Sequence, residues 1–284
     1  IQRIKELSHW DYKNPAWLSK NSHFLMGVDW DKYGAGPSIA ILEVPGEDVT
    51  DPRFRNGDIV RARLVFREEI PRSEFVLLEA VQRIIKLNDL FRPDWIYVDK
   101  GFGETQIELL HQYGIENPRS GLRAKVKGIA FGGSIEVRDP ATKQLERKEM
   151  KPFMVENVRF MLERGLLAFP AFDDMMYRQM THYIVTQTSI YGIPRFAMSS
   201  SDIPDHAHDS LLLACLAYKE HYDELMQVKA SGLAIAMSNE KMLGLEDPET
   251  SRSDRTRITR SMAVSMGGRS GRRSIRRSNI ARKR

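Results

Sequence analysis

The sequence predicts an α/β fold, with a mixed central sheet flanked by helices and a β-hairpin insertion. Three strand-like segments come first, and from residue 73 onward helix-like and strand-like segments alternate. Early strands followed by such alternation are typical of a sheet whose strands run in mixed directions. A chain of 284 residues is long enough to bury a core of this kind.

The first three strands are expected to form a meander. Residues 24–29 are a short apolar run that ends at an acid, and Ser38–Val44 is rich in β-branched residues. Residues 59–68 alternate apolar and basic side chains, as a half-exposed antiparallel strand does. These patterns place the three segments side by side in one sheet.

A helix, a buried strand and a second helix are predicted next. Apolar residues recur at helical spacing over residues 77–85, and Ser73 is the expected N-cap. Residues 95–98 are apolar throughout, which favours a central strand covered on both faces. Residues 104–113 then form a helix closed by Gly114.

The second half of the chain is read by the same patterns. The predicted elements are a strand over 126–131, a hairpin of Ser134–Arg138 and Leu145–Glu149, a helix over 152–164, a helix Asp174–His182 capped by Asp173, short strands Tyr183–Thr188 and 194–197, and a helix over 206–225.

The composition is that of a soluble globular protein, with 42% hydrophobic and 29% charged residues. The longest apolar run, residues 211–217, is too short to cross a bilayer, so no membrane partner is expected. The single cysteine, Cys215, excludes a disulfide within the chain.

The charge is divided unevenly along the chain. Residues 251–284 carry 12 Lys and Arg against one acid, whereas the rest of the chain has a net charge of −6. We therefore predict a lead-in over residues 1–22, one domain over 23–228 and a flexible basic tail over 229–284. Because the chain begins at Ile1, we expect it to be a piece of a longer protein.

Three aspartates stand beside buried segments. Asp29 ends the first strand, Asp99 follows the apolar run 95–98, and Asp209 begins the last helix. A carboxylate in such a place loses solvation unless cations or hydrogen bonds compensate it. The three could converge on two Mg²⁺ or Mn²⁺ ions, since open sheets place ligands at the carboxyl ends of strands. Each alone could equally be a turn residue or a helix cap.

Several neighbours of these aspartates are auxiliary candidates. A histidine there could orient a metal-bound water or act as a base near neutral pH, and a lysine could contact phosphate. Solvated side chains explain the same residues. Gly101 and Gly103 resemble a phosphate-approach loop, although a plain strand-to-helix turn accounts for them equally. The auxiliary candidates are Asp31, Lys100, Asp205, His206 and His208.

Basic residues cluster around the predicted hairpin and are a candidate DNA track. A merely solvated hairpin is the alternative. The candidates are Arg123, Lys125, Lys127, Arg138, Lys143, Arg147, Lys148 and Lys151. The basic tail could add nonspecific affinity for DNA, or dock on a protein partner.

Three segments together resemble the nuclease domain of phage large terminase subunits. They are Gly27-Val-Asp29-Trp, Tyr97-Val-Asp99-Lys-Gly-Phe-Gly103 and His206-Ala-His-Asp209-Ser-Leu-Leu-Leu-Ala. The resemblance covers roughly residues 24–225 and implies an RNase H-like, RuvC-type fold with a β-hairpin insertion. It also implies that Asp29, Asp99 and Asp209 hold the two metal ions. One departure is that many members place a second acid beside the last aspartate, where this chain has His208.

The resemblance also implies a function. The family's nuclease domain cuts concatemeric double-stranded DNA into genome lengths, together with a portal protein and a small terminase subunit. Its packaging ATPase domain lies in the same polypeptide, but this chain has no P-loop. The expected location is the host cytoplasm at the procapsid portal, and not the mature virion.

Two alternatives remain open at this point. A Holliday-junction resolvase of the same fold would act as a dimer on branched DNA. A non-enzymatic packaging module would use its acids structurally and its basic tail to bind DNA or the portal.

Overall fold

The computed structural model describes residues 8–10, 22–30, 37–46, 54–56, 59–71, 73, 76–139, 142–171, 173–190 and 192–223. Asp31, most of the predicted lead-in and the predicted tail lie outside these residues. Within them, no helix is both long and apolar enough to span a membrane.

From residue 77 onward, helices are interspersed among the strands. The strands are β1 (Ser8–Trp10), β2 (His23–Asp29), β3 (Ser38–Val44), β4 (Arg55–Asn56), β5 (Ile59–Val60), β6 (Ala62–Glu69), β7 (Trp95–Asp99), β8 (Val126–Ile129), β9 (Ser134–Arg138), β10 (Leu145–Glu149), β11 (Leu167–Pro170), β12 (Tyr183–Thr188) and β13 (Pro194–Met198). The α-helices are α1 (Leu77–Phe91), α2 (Lys100–Glu116), α3 (Leu122–Lys125), α4 (Met150–Arg164), α5 (Asp174–His182) and α6 (His206–His221), and Pro118–Ser120 is a 3₁₀ turn.

Seven strands form one mixed sheet in the order β1-β11-β6-β3-β2-β7-β8. β2, β3 and β6 are antiparallel neighbours, which confirms the predicted meander. β7 pairs in parallel with both β2 and β8, so it occupies the interior of the sheet as predicted. The predicted hairpin β9–β10 forms a separate two-stranded sheet, and the predicted short strands β12 and β13 pair with each other in another.

Apolar side chains cover both faces of the central sheet. Alternate residues of β2 point to opposite faces, so Leu25 joins the core beneath α4 and α6 while Met26 and Val28 join the core beneath α1 and α2. The sheet is therefore a buried middle layer. α6 lies across β2 and β3 with all residues from Ala207 to Tyr218 buried.

The structure corrects several predicted boundaries. Helix α1 begins at Leu77 with Val76 as N-cap and no side-chain cap, so Ser73 does not cap it. Helix α2 begins four residues before the predicted start and passes through Gly114. The glycine is needed there because a Cβ would stand 2.5 Å from the backbone nitrogen of Arg123. Strand β11 was not predicted, since four apolar residues after a helix carry no period of their own.

Candidate active site

Sheet register brings two of the three aspartates to one edge. β2 and β7 run in parallel with Val28 opposite Val98, so Asp29 and Asp99 end neighbouring strands at the same level. Neighbouring strands are about 4.8 Å apart. Both side chains are nearly buried, with 5% of Asp29 and 6% of Asp99 exposed.

Helix α6 brings the third aspartate to the same edge. It packs on β2 at Gly27, where a Cβ would stand only 2.0 Å from the carbonyl oxygen of Ser210. The side chain of Asp209 is buried in the first turn of this helix, with 4% exposed. Its charge raises the pKa of both Asp29 and Asp99. The three predicted residues therefore form one carboxylate cluster.

Asp99 also caps the helix that follows it. Its carboxylate accepts hydrogen bonds from the backbone nitrogens of Gly101, at 3.1 Å, and Phe102, at 3.4 Å. Burial raises the pKa of Asp99, and these two hydrogen bonds oppose the shift. This cap explains why α2 begins earlier than predicted. Gly101 and Gly103 lie within the first turn of the helix, so they do not form a phosphate-approach loop.

Asp29 is held by a histidine from α6. His206 Nδ1 lies 2.7 Å from Asp29 Oδ2. Burial nevertheless raises the pKa of Asp29 to about 7, with His206 lowering it and Asp209 and Asp99 raising it. The raised pKa of Asp29 therefore reflects its burial first and the neighbouring carboxylates second.

Lys151 supplies the positive charge at the centre of the site. Its Nζ donates to Asp209 Oδ2 at 2.8 Å and lies 3.7 Å from Asp205 Oδ2. Burial opposes its ionisation, but Asp209 and Asp205 raise the pKa of Lys151 above its usual range. The sequence grouped Lys151 with the basic hairpin, because nothing in its neighbours along the chain indicates that it points to Asp209.

The cluster has an oxygen that the protein leaves free. Asp209 Oδ1 is buried without a hydrogen-bond partner, and the 3.5 Å between it and His208 Nδ1 is long for a hydrogen bond. Burial alone would raise the pKa of Asp209, but its contacts with His208 and Lys151 hold it below the usual range. An ionised, buried oxygen without a donor is what a hard cation requires of a ligand.

The donor set fits divalent metal in its chemistry. Three buried carboxylates offer the oxygen ligands that Mg²⁺ and Mn²⁺ prefer. In the described part of the chain, no three His, Cys, Asp or Glu side chains are close enough together to hold an ion as they stand. Lys151 pairs with Asp209 and His206 contacts Asp29 instead, so the carboxylates would have to move closer together to bind an ion.

The other candidates are divided between this site and the surface. His206 and His208 belong to the site, and Asp205 stands at its margin near Lys151. Lys100 points away, because its half-exposed side chain pairs with Glu104 at 3.4 Å. Sequence reasoning missed Gln179 and Tyr183, which both contact His208.

The predicted DNA track is not one surface. Lys125 donates to the carbonyl oxygen of Pro93, and Lys127 pairs with Glu220, at the end of the sheet away from the aspartates. The hairpin β9–β10 carries the bases Arg138, Lys143, Arg147 and Lys148. Four acids on the same hairpin balance them: Glu136, Asp139, Glu146 and Glu149.

Comparison with known proteins identifies the fold. The large terminase nuclease of thermophilic phage G20c matches over 76% of this chain and 95% of its own, with 14% identity and a TM-score of 0.51. The large terminase nuclease domain of Thermus phage P74-26 matches over 75% and 91%, with 13% identity and a TM-score of 0.47. The large terminase nuclease domain of bacteriophage SPP1, with bound Mn, matches over 76% and 98%, with 11% identity and a TM-score of 0.43.

No family model and no curated protein matches the sequence. At such low identities the likeness is one of fold. The chain has the RNase H-like fold, and the solved structures that match it include terminase nuclease domains and the RuvC of Thermus thermophilus. The fold class predicted from the sequence is thereby confirmed, and the resemblance to terminase nuclease domains is confirmed at the level of fold.

Proposed function

We propose that this chain is the metal-dependent endonuclease domain of a viral DNA-packaging terminase, which cuts concatemeric double-stranded DNA into genome lengths. One observation carries the proposal: Asp29, Asp99 and Asp209 form a single buried cluster at the strand ends of an RNase H-like sheet. The likeness to the G20c terminase nuclease supports the same activity. No observation on the described residues favours the resolvase or the non-enzymatic alternative.

The three carboxylates would hold two Mg²⁺ or Mn²⁺ ions. Such ions supply an activated water and stabilise the attacking and leaving oxygens of the phosphodiester. His206 keeps the Asp29 carboxylate in place through its 2.7 Å contact. The backbone of α2 does the same for Asp99, which restricts both ligands before any cation is present.

Lys151 acts on the same site from α4. Its ammonium group pairs with Asp209 while the carboxylates are without metal and limits their mutual repulsion. If it were released from Asp209, the ammonium group would be available to contact a phosphate bound at the carboxylates. A lysine there would favour the negative charge that the phosphate gains during hydrolysis.

The proposed substrate is double-stranded DNA. The portal protein, the small terminase subunit and the ATPase domain of the same polypeptide are proposed partners on the strength of the sequence resemblance alone. The same holds for the proposed location, the host cytoplasm at the procapsid portal.

Nicking of supercoiled plasmid in Mn²⁺ tests the proposal. The Asp29→Asn variant should cut at least about 100-fold more slowly, since losing a ligand costs more than losing a residue that merely supports one. The matched control is Asp202→Asn, which removes an exposed carboxylate just before α6. Cutting by Asp29→Asn at the wild-type rate would overturn the assignment, as would a loss of cutting in both variants.

A further inference from the structure

The N-terminus of α6 lacks the cap that its own sequence offers. Asp205 occupies the N-cap position, and its side chain makes no hydrogen bond to the backbone of the first turn. It lies 3.7 Å from Lys151 Nζ instead. The first amide groups of a helix need an acceptor, and a buried one that lacks it is costly.

Gln179 supplies the missing acceptor from another helix. Its Oε1 accepts the backbone N–H of His208 at 2.9 Å, and the whole residue is 0% exposed. Only the oxygen of the amide can accept this bond, which fixes the orientation of the group. The other half of the amide, Nε2, is buried without a partner. Burying Nε2 without a partner costs free energy, so the hydrogen bond that Oε1 accepts from His208 must outweigh this cost.

The bond fixes the part of α6 that carries the site. His206, which contacts Asp29, and Asp209, which pairs with Lys151, stand on either side of His208 in the same turn. If the amide of His208 were released, both contacts would shift together. Asp205 would also be drawn to its ordinary capping role and away from Lys151.

We infer that Gln179 is a positioning residue for the carboxylate cluster: by capping α6 from α5, it sets Asp209 and His206 and leaves Asp205 free to face Lys151. This inference rests on the proposed function for its consequence in catalysis. The capping itself is a property of the metal-free protein. Residues that orient metal ligands in this way typically contribute 10–100-fold to metal affinity or activity.

The test compares two buried amide side chains, on α5 and α4, that each bond to the backbone of α6. Gln179→Leu removes the acceptor of His208 N–H, and Asn157→Leu removes a donor whose Nδ2 bonds the carbonyl oxygen of Cys215 at 3.0 Å. Both variants lose one buried hydrogen bond to α6, but Cys215 lies six residues beyond Asp209. Gln179→Glu keeps an oxygen acceptor and serves as the conservative variant.

Two readouts are needed. In chelator, hydrogen–deuterium exchange over residues 206–210 should be about 10-fold faster in Gln179→Leu, unchanged in Asn157→Leu and near wild type in Gln179→Glu. In plasmid nicking, Gln179→Leu should need about 10-fold more Mn²⁺ for half-maximal cutting, with no such shift in Asn157→Leu. Equal effects of Gln179→Leu and Asn157→Leu in both readouts would refute the inference.

The outcomes separate this inference from the proposed function. A wild-type protein that does not cut in Mn²⁺ defeats the proposed function, and the exchange comparison then still decides whether Gln179 caps α6. If Gln179→Leu does not fold, Gln179→Asn replaces it, because its shorter side chain withdraws the acceptor and leaves the amide. Normal exchange in that variant would equally refute the inference.

Discussion

The three aspartates of this site have different electrostatic environments. Burial raises the pKa of Asp29 to about 7 even though His206 opposes the shift. Asp209 is buried just as deeply, but its contacts with His208 and Lys151 lower its pKa. Lys151 thus helps to keep Asp209 ionised, whereas Asp29 is only partly ionised near neutral pH. The pKa of Asp29 can therefore be tested through stability.

Asp29→Asn should make the metal-free protein more stable above pH 7. The folded protein holds a proton on Asp29 up to about pH 7, whereas the unfolded chain releases it near pH 3.8. Since the folded state binds more protons between these values, stability falls as pH rises through this window. The full shift corresponds to roughly 4 kcal/mol. Because asparagine does not ionise, the substitution removes this pH-dependent loss of stability.

Thermal unfolding in chelator between pH 5 and 8 measures the effect. Each kcal/mol shifts the Tm of a domain of this size by about 2–4 °C. The difference in Tm between Asp29→Asn and wild type should therefore widen with pH. Asp202→Asn, at an exposed carboxylate, should follow the wild type throughout. A constant difference between Asp29→Asn and wild type would show that Asp29 ionises normally.

At the scale of elements, the sequence predicts what local patterns determine. Strand β3 and both strands of the hairpin β9–β10 have the predicted bounds, because period-two alternation and turn residues are contained within each segment. The positions of Asp29 and Asp99 follow from the same patterns. Their parallel pairing makes them neighbours.

The remaining features depend on contacts between distant segments. Lys151 pairs with an acid 58 residues away, and Gln179 caps a helix 29 residues further on. No period or spacing in the sequence reports such contacts. The early start of α2 has a local cause instead, since the helix begins at the carboxylate of Asp99 rather than after its glycines.

Gly27→Ala should separate α6 from the sheet. A Cβ on Gly27 would stand 2.0 Å from the carbonyl oxygen of Ser210 and 2.6 Å from the backbone nitrogen of Ala214. Neither backbone atom can move alone, so the whole helix must shift and carry Asp209 away from Asp29. Overpacking of this kind typically costs about 1–3 kcal/mol, occasionally more, which corresponds to a fall in Tm of roughly 2–12 °C.

Gly132→Ala is the matched control, because its Cβ would have nothing within 4 Å. It should change the Tm by less than about 2 °C and leave plasmid nicking intact. Thermal unfolding and nicking of the two variants together check the prediction. A Gly27→Ala protein that retains wild-type Tm and cutting would mean that α6 is not held against β2 at this position.

At the scale of the whole molecule, charge is separated along the chain. Residues 251–284 carry 12 bases and one acid, while the remaining residues have a net charge of −6 and include the carboxylate cluster. The hairpin that the sequence suggested as a DNA track carries as many acids as bases. We therefore propose that long-range attraction of DNA depends on the bases of residues 251–284 more than on the rest of the chain.

Removing residues 251–284 should weaken DNA binding in a salt-dependent way. Each phosphate contacted by a base adds about 0.9 to the slope of log affinity against log salt, so the truncated protein should show a shallower slope. Binding is measured on duplex DNA in the Asp29→Asn background, where cutting is suppressed. At about 50 mM salt the truncation should weaken binding at least 10-fold, and by about 300 mM the difference should largely vanish.

A full-length control with the 12 bases replaced by glutamine keeps the chain length and removes the charge. If that control binds like the wild type, length rather than charge is responsible, and an unchanged affinity in both variants would assign DNA binding to the folded domain alone.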